Sequence, residues 1–242
     1  MKVIILAGGL GTRISEETKL KPKPMVLLDD KPILWHIMNI YAHQGFDKFI
    51  VAIGYKGEII KDWINNLDSS WDISAVDTGL KTQTGGRIRQ AVNTFDEDQF
   101  MVTYGDGVGN IDIKQLIAFH NSHGRLATVT AVRPPARFGV LQTSNGLVEN
   151  FGEKSQADAG WINGGFFVLN REIISEIYDD LEPFESHVLP RLVAKKQLMA
   201  YHHKGFWKPM DTLREKNELS EMAISGGDAP WLHDLKKNLN IK

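Results

Sequence analysis

The feature that most limits how this chain can fold is a recurrence of short apolar runs, each closed by turn residues. They fall at residues 2–7, 48–53, 99–103, 127–132 and 165–169, with helical patterns between several of them. Runs of that length bounded by glycine and polar residues read as buried strands. Residues 31–44 set Ile33, Leu34, Ile37, Met38 and Tyr41 close to a 3.6-residue repeat, and Gly45 supplies a stop. Helices at 59–67 and 113–122 continue the alternation, with right-handed crossovers between parallel neighbours. The chain is therefore expected to be α/β with a mostly parallel sheet. No internal repeat or linker divides it, so residues 1–224 read as one domain and 225–242 as a looser C-terminal tail.

A chain of 242 residues can bury a substantial core without covalent or metal staples. The absence of cysteine excludes disulfides, thiolate catalysis and Cys-based metal centres. A formal charge of −2 creates no general field for a polyanion, so a nucleic-acid partner is not expected, and phosphate affinity has to come from a few local groups. The first apolar run is too short for a signal core or a membrane span, which leaves no expected membrane partner and a cytoplasmic location compatible.

Those local groups begin where the first strand should end. Leu6-Ala7-Gly8-Gly9-Leu10-Gly11-Thr12-Arg13 offers backbone N–H groups that can wrap phosphate oxygens. A Rossmann third glycine would fall at Ile14, and no Gly-Lys-Ser/Thr follows, so the dinucleotide and P-loop readings both weaken. A turn kept glycine-rich only for tight packing remains the plain alternative. Arg13 and Lys23 then place a bidentate and a point-like cation beyond the turn, separated by residues 15–19, a polar stretch able to form a lid. The prolines flanking Lys23 are expected to hold it in extended backbone.

Asp106, between Gly105 and Gly107, stands at the expected C-terminal end of a strand, where open α/β sheets bind ligands. Asp211 follows another short apolar segment far along the chain. Two converging carboxylates with water and phosphate oxygens would satisfy Mg²⁺. Taken singly, Asp106 reads as a turn former and Asp211 as the N-cap of a helix over 212–221. Glu153-Lys154 and Asn163, ahead of the run at 165–169, form a second polar cluster; alone, the dipeptide is an ordinary surface charge pair. His36 reads as a packed histidine, and His202 and His203 as neighbours pointing opposite ways.

Together these stretches resemble the sugar-phosphate nucleotidyltransferase family nearly end to end, and within it the cytidylyl subgroup. Agreement includes 6–13, 21–26, 84–88, 103–108, 137–139, 162–169 and 205–214. The resemblance implies a single Rossmann-like domain with a mixed, mostly parallel central sheet flanked by helices. It implies transfer of CMP from CTP to a small phosphorylated acceptor, glucose 1-phosphate above all, with Mg²⁺ as cofactor. It assigns nucleotide binding to Leu6, Ala7, Gly8, Gly9, Gly11, Thr12, Thr82, Gly85, Arg87 and Gly105. Catalytic charge falls to Arg13 and Lys23, the metal to Asp106 and Asp211, and the acceptor to Gly139, Glu153, Lys154 and Asn163. A homo-oligomer is expected on the same ground. Use of another NTP or acceptor, and a nucleotide-sensing protein without catalysis, are the competing readings. Relatives carry a longer segment before Val76 and a proline after the lysine, where this chain has Ser155.

Overall fold

The computed structural model describes residues 1–134, 139–144, 146–153, 160–224 and 229–232. In chain order its strands are β1 (Val3–Ala7), β2 (Leu27–Leu28), β3 (Lys31–Pro32), β4 (Lys48–Ile53), β5 (Asp72–Asp77), β6 (Gln99–Tyr104), β7 (Gly107–Gly109), β8 (Ala127–Val132), β9 (Gly139–Ser144), β10 (Leu147–Glu153), β11 (Ile162–Asn170), β12 (Leu198–His202) and β13 (Trp207–Pro209). The α-helices are α1 (Ser15–Thr18), α2 (Ile33–Ala42), α3 (Gly57–Asn65), α4 (Thr84–Val92), α5 (Ile113–His123), α6 (Leu189–Ala194) and α7 (Leu213–Ile224).

Seven strands form the central sheet in the order β12-β8-β11-β6-β1-β4-β5. All pairings are parallel except those of β11, which runs against both β6 and β8. The mixed, mostly parallel α/β sheet expected from the sequence is thus present. Its five internal strands coincide with the apolar runs, because a strand covered on both faces has no polar side to present. Alternate side chains of β1 feed two cores: Val3, Ile5 and Ala7 join one, Ile4 and Leu6 the other. The edge strands β5 and β12 were not legible as runs. They are half-exposed and mix polar with apolar residues.

Helix bounds shift by a few residues for local reasons. Pro32 is extended and starts α2 at Ile33, while α3 begins early because Lys56 takes a left-handed turn (φ 51°) and Gly57 packs on Ile53. The Asp112 side chain accepts from the Gln115 N–H at 2.9 Å and opens α5, and Gly124 (φ 63°) closes it.

Part of the expected tail is built into the body of the protein. Ala229 and Trp231 are buried, and Trp231 stacks on Phe206. Its indole N–H donates to Nδ1 of His36 at 3.3 Å, while Nε2 of His36 lies 3.1 Å from the Leu28 carbonyl. A carbonyl only accepts, so the proton sits on Nε2 and Nδ1 is the acceptor, the neutral tautomer. Burial holds the His36 pKa below its ordinary 6.5, opposed by the Leu28 carbonyl and by Asp30 and Asp29. The fold therefore favours neutral His36, and its contribution is fully present above about pH 6.5 and is lost progressively as pH falls from there through the lower folded-state pKa. Trp231→Ala should lower the unfolding free energy by about 3 kcal/mol or more. It should also reduce the loss of thermal stability between pH 7.5 and 5.5. An unchanged pH response in that variant would remove His36 as its source.

Candidate active site

The carboxyl ends of the parallel strands and the beginning of the reversed β11 meet at one edge of the sheet, around a cavity of about 700 Å³. From β1 come Leu6, Ala7 and the turn Gly8–Arg13; from β6 come Tyr104, Gly105 and Asp106; from β11 comes Asn163. Thr82, Gln83 and Thr84 enter from the start of α4. This is the edge at which open α/β sheets receive ligands.

The glycine turn is braced from below. The buried Arg87 guanidinium donates to the Gly8 carbonyl at 3.1 Å and the Ile53 carbonyl at 3.0 Å, and also to the Thr78 hydroxyl. Burial lowers its pKa, with the nearby Asp77 opposing the shift. A Cβ on Gly8 would come within 2.1 Å of Arg87 Nη1, so the close approach of guanidinium to backbone is what requires glycine there. Arg87 consequently ties the start of the turn, through the Gly8 carbonyl, to the ends of β4 and β5.

The two aspartates are brought together by a short ladder. In it β13 runs antiparallel to β7 with Pro209 opposite Gly107, and the Met210 N–H donates to the Asp106 carbonyl at 2.8 Å. Asp106 precedes one strand and Asp211 follows the other, so their side chains share one end of the ladder. Between them stands the Lys23 ammonium, 2.8 Å from Oδ2 of Asp106 and 2.7 Å from Oδ1 of Asp211. Arg13 pairs with the other oxygen of Asp211; its side chain is 71% exposed, against 9% for Lys23.

Two local expectations are corrected here. Lys23 is not extended: Lys23–Met25 form a single 3-10 turn, with the extended conformation confined to Pro22 and Val26. Pro24 fits because the first N–H groups of a helical turn have no internal partner to lose. Nor is Asp211 the cap of α7. The Glu215 carboxylate accepts from the N–H groups of Asp211 and Thr212 at 2.9 and 3.0 Å, and the Glu215 N–H donates to the Thr212 hydroxyl at 3.2 Å. That reciprocal pair is a capping box, and it leaves the Asp211 carboxylate for the cations.

A further polar wall was missed by sequence reasoning. Glu185 Oε1 accepts from the Tyr104 phenol at 2.6 Å and Oε2 from the Thr84 hydroxyl at 2.7 Å, while Asn163 Nδ2 donates to the Tyr104 oxygen at 3.0 Å. Burial first, then the Glu185 charge, pushes the Tyr104 pKa far up, so its phenol stays protonated. Gly165 (φ 78°) permits the arrangement, since a Cβ there would lie 2.3 Å from the Tyr104 ring. No spacing rule links Glu185 to Tyr104; the ring contacts of Phe167 with both Phe184 and Tyr104 bring them together.

Of the sequence-selected residues, Leu6, Ala7, Gly8, Gly9, Gly11, Thr12, Arg13, Lys23, Thr82, Arg87, Gly105, Asp106, Asn163 and Asp211 line one cavity. Gly85 does not; its N–H donates to the Glu182 carbonyl at 3.0 Å. Gly139 and Glu153 face each other across the β9–β10 ladder, and Lys154 lies outside the described residues. Among the described residues no cluster of three or more His, Cys, Asp or Glu is present, so a metal here would draw on Asp106 and Asp211 alone. The ammonium between their oxygens marks where one positive charge is already accommodated, and the all-oxygen donor pair fits a hard cation with water and phosphate oxygens completing its shell.

The family model described as Nucleotidyl transferase matches residues 2–215. A glucose-1-phosphate cytidylyltransferase of Salmonella typhi is 46% identical over 96% of this chain and 98% of its own length. A probable glucose-1-phosphate cytidylyltransferase of Bacillus subtilis is 41% identical over 93% and 97%. Among solved structures, HddC from Yersinia pseudotuberculosis superposes with a TM-score of 0.73 at 28% identity, over 92% of this chain and 99% of that one, and was also crystallised with GMP-PN.

Gly8→Ala should cost about 1–3 kcal/mol through overpacking against Arg87. The cost should shrink by about 1 kcal/mol or more when Arg87→Met is made as well. Denaturant titration of the four proteins checks this, and strictly additive losses would exclude the brace.

Proposed function

The chain belongs to the nucleotidyl transferase family, and from that premise we propose that it transfers CMP from CTP to glucose 1-phosphate, releasing pyrophosphate and forming CDP-glucose. Identity of 46% along nearly the whole of a curated glucose-1-phosphate cytidylyltransferase supports both substrates. The observation that carries the reading is the convergence of Asp106 and Asp211 on one cation beside the glycine turn.

An oxygen of the acceptor phosphate attacks the α-phosphorus of CTP. The bond from that phosphorus to the bridging oxygen of the β-phosphate breaks, and pyrophosphate leaves with the bonding electrons. The acceptor phosphate is ionised near neutral pH, so no strong general base is needed, and the protein contributes alignment and charge neutralisation. The turn Gly8–Arg13 presents N–H groups to the triphosphate, held in shape by Arg87 from beneath. Lys23 and Arg13, here paired with the aspartates, carry the donors that turn to phosphate oxygens in the bound state. Asp106 and Asp211 would hold Mg²⁺, which when bound supplies charge neutralisation of the nucleotide phosphates. Thr82 contributes to the nucleotide side. Asn163, Glu153 and Gly139 serve the acceptor sugar, and Lys154 its phosphate. No described helix is long and apolar enough to cross a membrane; we place the reaction in the cytoplasm, where CTP is available.

A grid of NTPs against phosphorylated acceptors, scored by pyrophosphate release with and without Mg²⁺, tests the assignment. CTP with glucose 1-phosphate should react fastest, and only with the ion. Turnover with UTP or dTTP but not CTP would overturn the base assignment, and tight Mg²⁺–CTP binding without pyrophosphate would leave a nucleotide sensor. Asp106→Asn and Asp211→Asn should each slow turnover by roughly a hundredfold or more.

A further inference from the structure

Besides the two aspartates, the cavity is lined by one further carboxylate, Glu185, which the transfer step leaves unused. It belongs to a single π-helical turn, Phe184–Val188, whose Phe184 and Val188 are buried and anchor the turn to the core. Such widened turns interrupt regular helix and concentrate at functional sites.

The hydrogen bonds around Glu185 have a definite polarity. The Phe184 N–H donates to the Thr84 oxygen at 2.8 Å, so the Thr84 hydroxyl proton is committed to Glu185 Oε2. Asn163 donates to the Tyr104 oxygen, so the phenol proton is committed to Oε1. Both hydroxyl donors of this wall are therefore spent on the carboxylate. An ionised carboxylate accepts about four hydrogen bonds, two on each oxygen. Roughly half of that capacity is taken, and the rest remains on a side chain that borders the cavity. Among the described residues no Lys, Arg or His forms an ion pair with Glu185. A negative group with unused lone pairs and no counter-ion repels phosphate and attracts neutral donors. It suits hydroxyl groups.

Both substrates carry hydroxyls, on the ribose and on the acceptor sugar. Through Tyr104 the wall is tied to Asn163 at the start of β11, the acceptor side of the cavity. We propose that Glu185 reads the acceptor by accepting hydrogen bonds from hydroxyls of its sugar ring, with Tyr104 and Thr84 as positioning residues that fix its rotamer. The site thus selects a polyhydroxylated ring rather than any small phosphate. This rests on the nucleotidyl-transfer reading and adds to it the residue that discriminates among acceptors.

The test is a substrate-by-variant cycle. Glu185→Gln keeps the shape and an amide oxygen for Tyr104, but loses the charge and one acceptor oxygen. Wild type and variant are assayed with CTP against glucose 1-phosphate and its monodeoxy and epimeric analogues. We expect KM for glucose 1-phosphate to rise roughly 10- to 100-fold in the variant, with KM for CTP and the thermal midpoint unchanged. At least one deoxy analogue should lose nothing further, because the hydroxyl it lacks is the one Glu185 binds. Equal losses for every analogue would show a merely structural role, and a rise in KM for CTP alone would move Glu185 to the ribose; either overturns the proposal. Should the glutamine variant fail to fold, Glu185→Asp retains the charge with a shorter reach and faces the same cycle. Wild-type turnover of CTP with glucose 1-phosphate separately decides the underlying reaction. If wild type uses only acceptors without a sugar ring, the role given to Glu185 falls.

Discussion

Two like charges held at the end of one short ladder are tolerable only with a positive charge between them, and the Lys23 ammonium bridging Asp106 and Asp211 is the contact around which the site is arranged. Like carboxylates at such range disfavour each other unless a cation intervenes. Several unrelated pieces of the chain meet that demand. The β7–β13 ladder sets the aspartates side by side, and the 3-10 turn Lys23–Met25 delivers Lys23. The Thr212–Glu215 capping box relieves Asp211 of any duty to α7. Buried Val108 and Met210 fasten the ladder to the core, so the pair sits on rigid backbone. Within this group the two cations, Lys23 and Arg13, balance the two aspartates.

The nucleotide side follows a different physical rule. A phosphate cradle needs free N–H groups, yet a glycine-rich turn left to itself is conformationally loose. Arg87 answers this by donating to the Gly8 carbonyl of the turn and to the neighbouring Ile53 carbonyl, bonds that occupy no N–H group of the turn. On the opposite wall Gly165 plays the corresponding part, yielding its side-chain volume to the Tyr104 ring and hence to Glu185.

Legibility in the sequence tracked how local each cause is. The apolar runs of β1, β4, β6, β8 and β11 showed themselves because a doubly covered strand needs no partner-specific residue. Asp106 and Asp211 were singled out by family resemblance; read alone, each fitted a turn or a cap. The cap of α7 went to Thr212 instead, because Glu215 three residues on completes the box. Arg87 lines the cavity as expected and also braces the glycine turn, a second role that depends on which way its side chain leaves α4. Gly85, beside it, turns to the Glu182 carbonyl for the same reason. Trp231 lay in a stretch without periodicity, and its place is decided by His36 and Phe206, distant in sequence.

By itself the sequence determined the alternation of strand and helix, the glycine turn after β1 and the kinds of charge available to a phosphate site. Periodicity, backbone freedom and side-chain charge belong to residues and their near neighbours, so they can be read without the fold. Only the tertiary structure decided that Lys23 meets both aspartates, that Arg87 supports the turn from below and that Glu185 joins Tyr104 in one wall. Those contacts link segments remote along the chain, and their geometry is set by sheet order and ladder register, which no local stretch encodes.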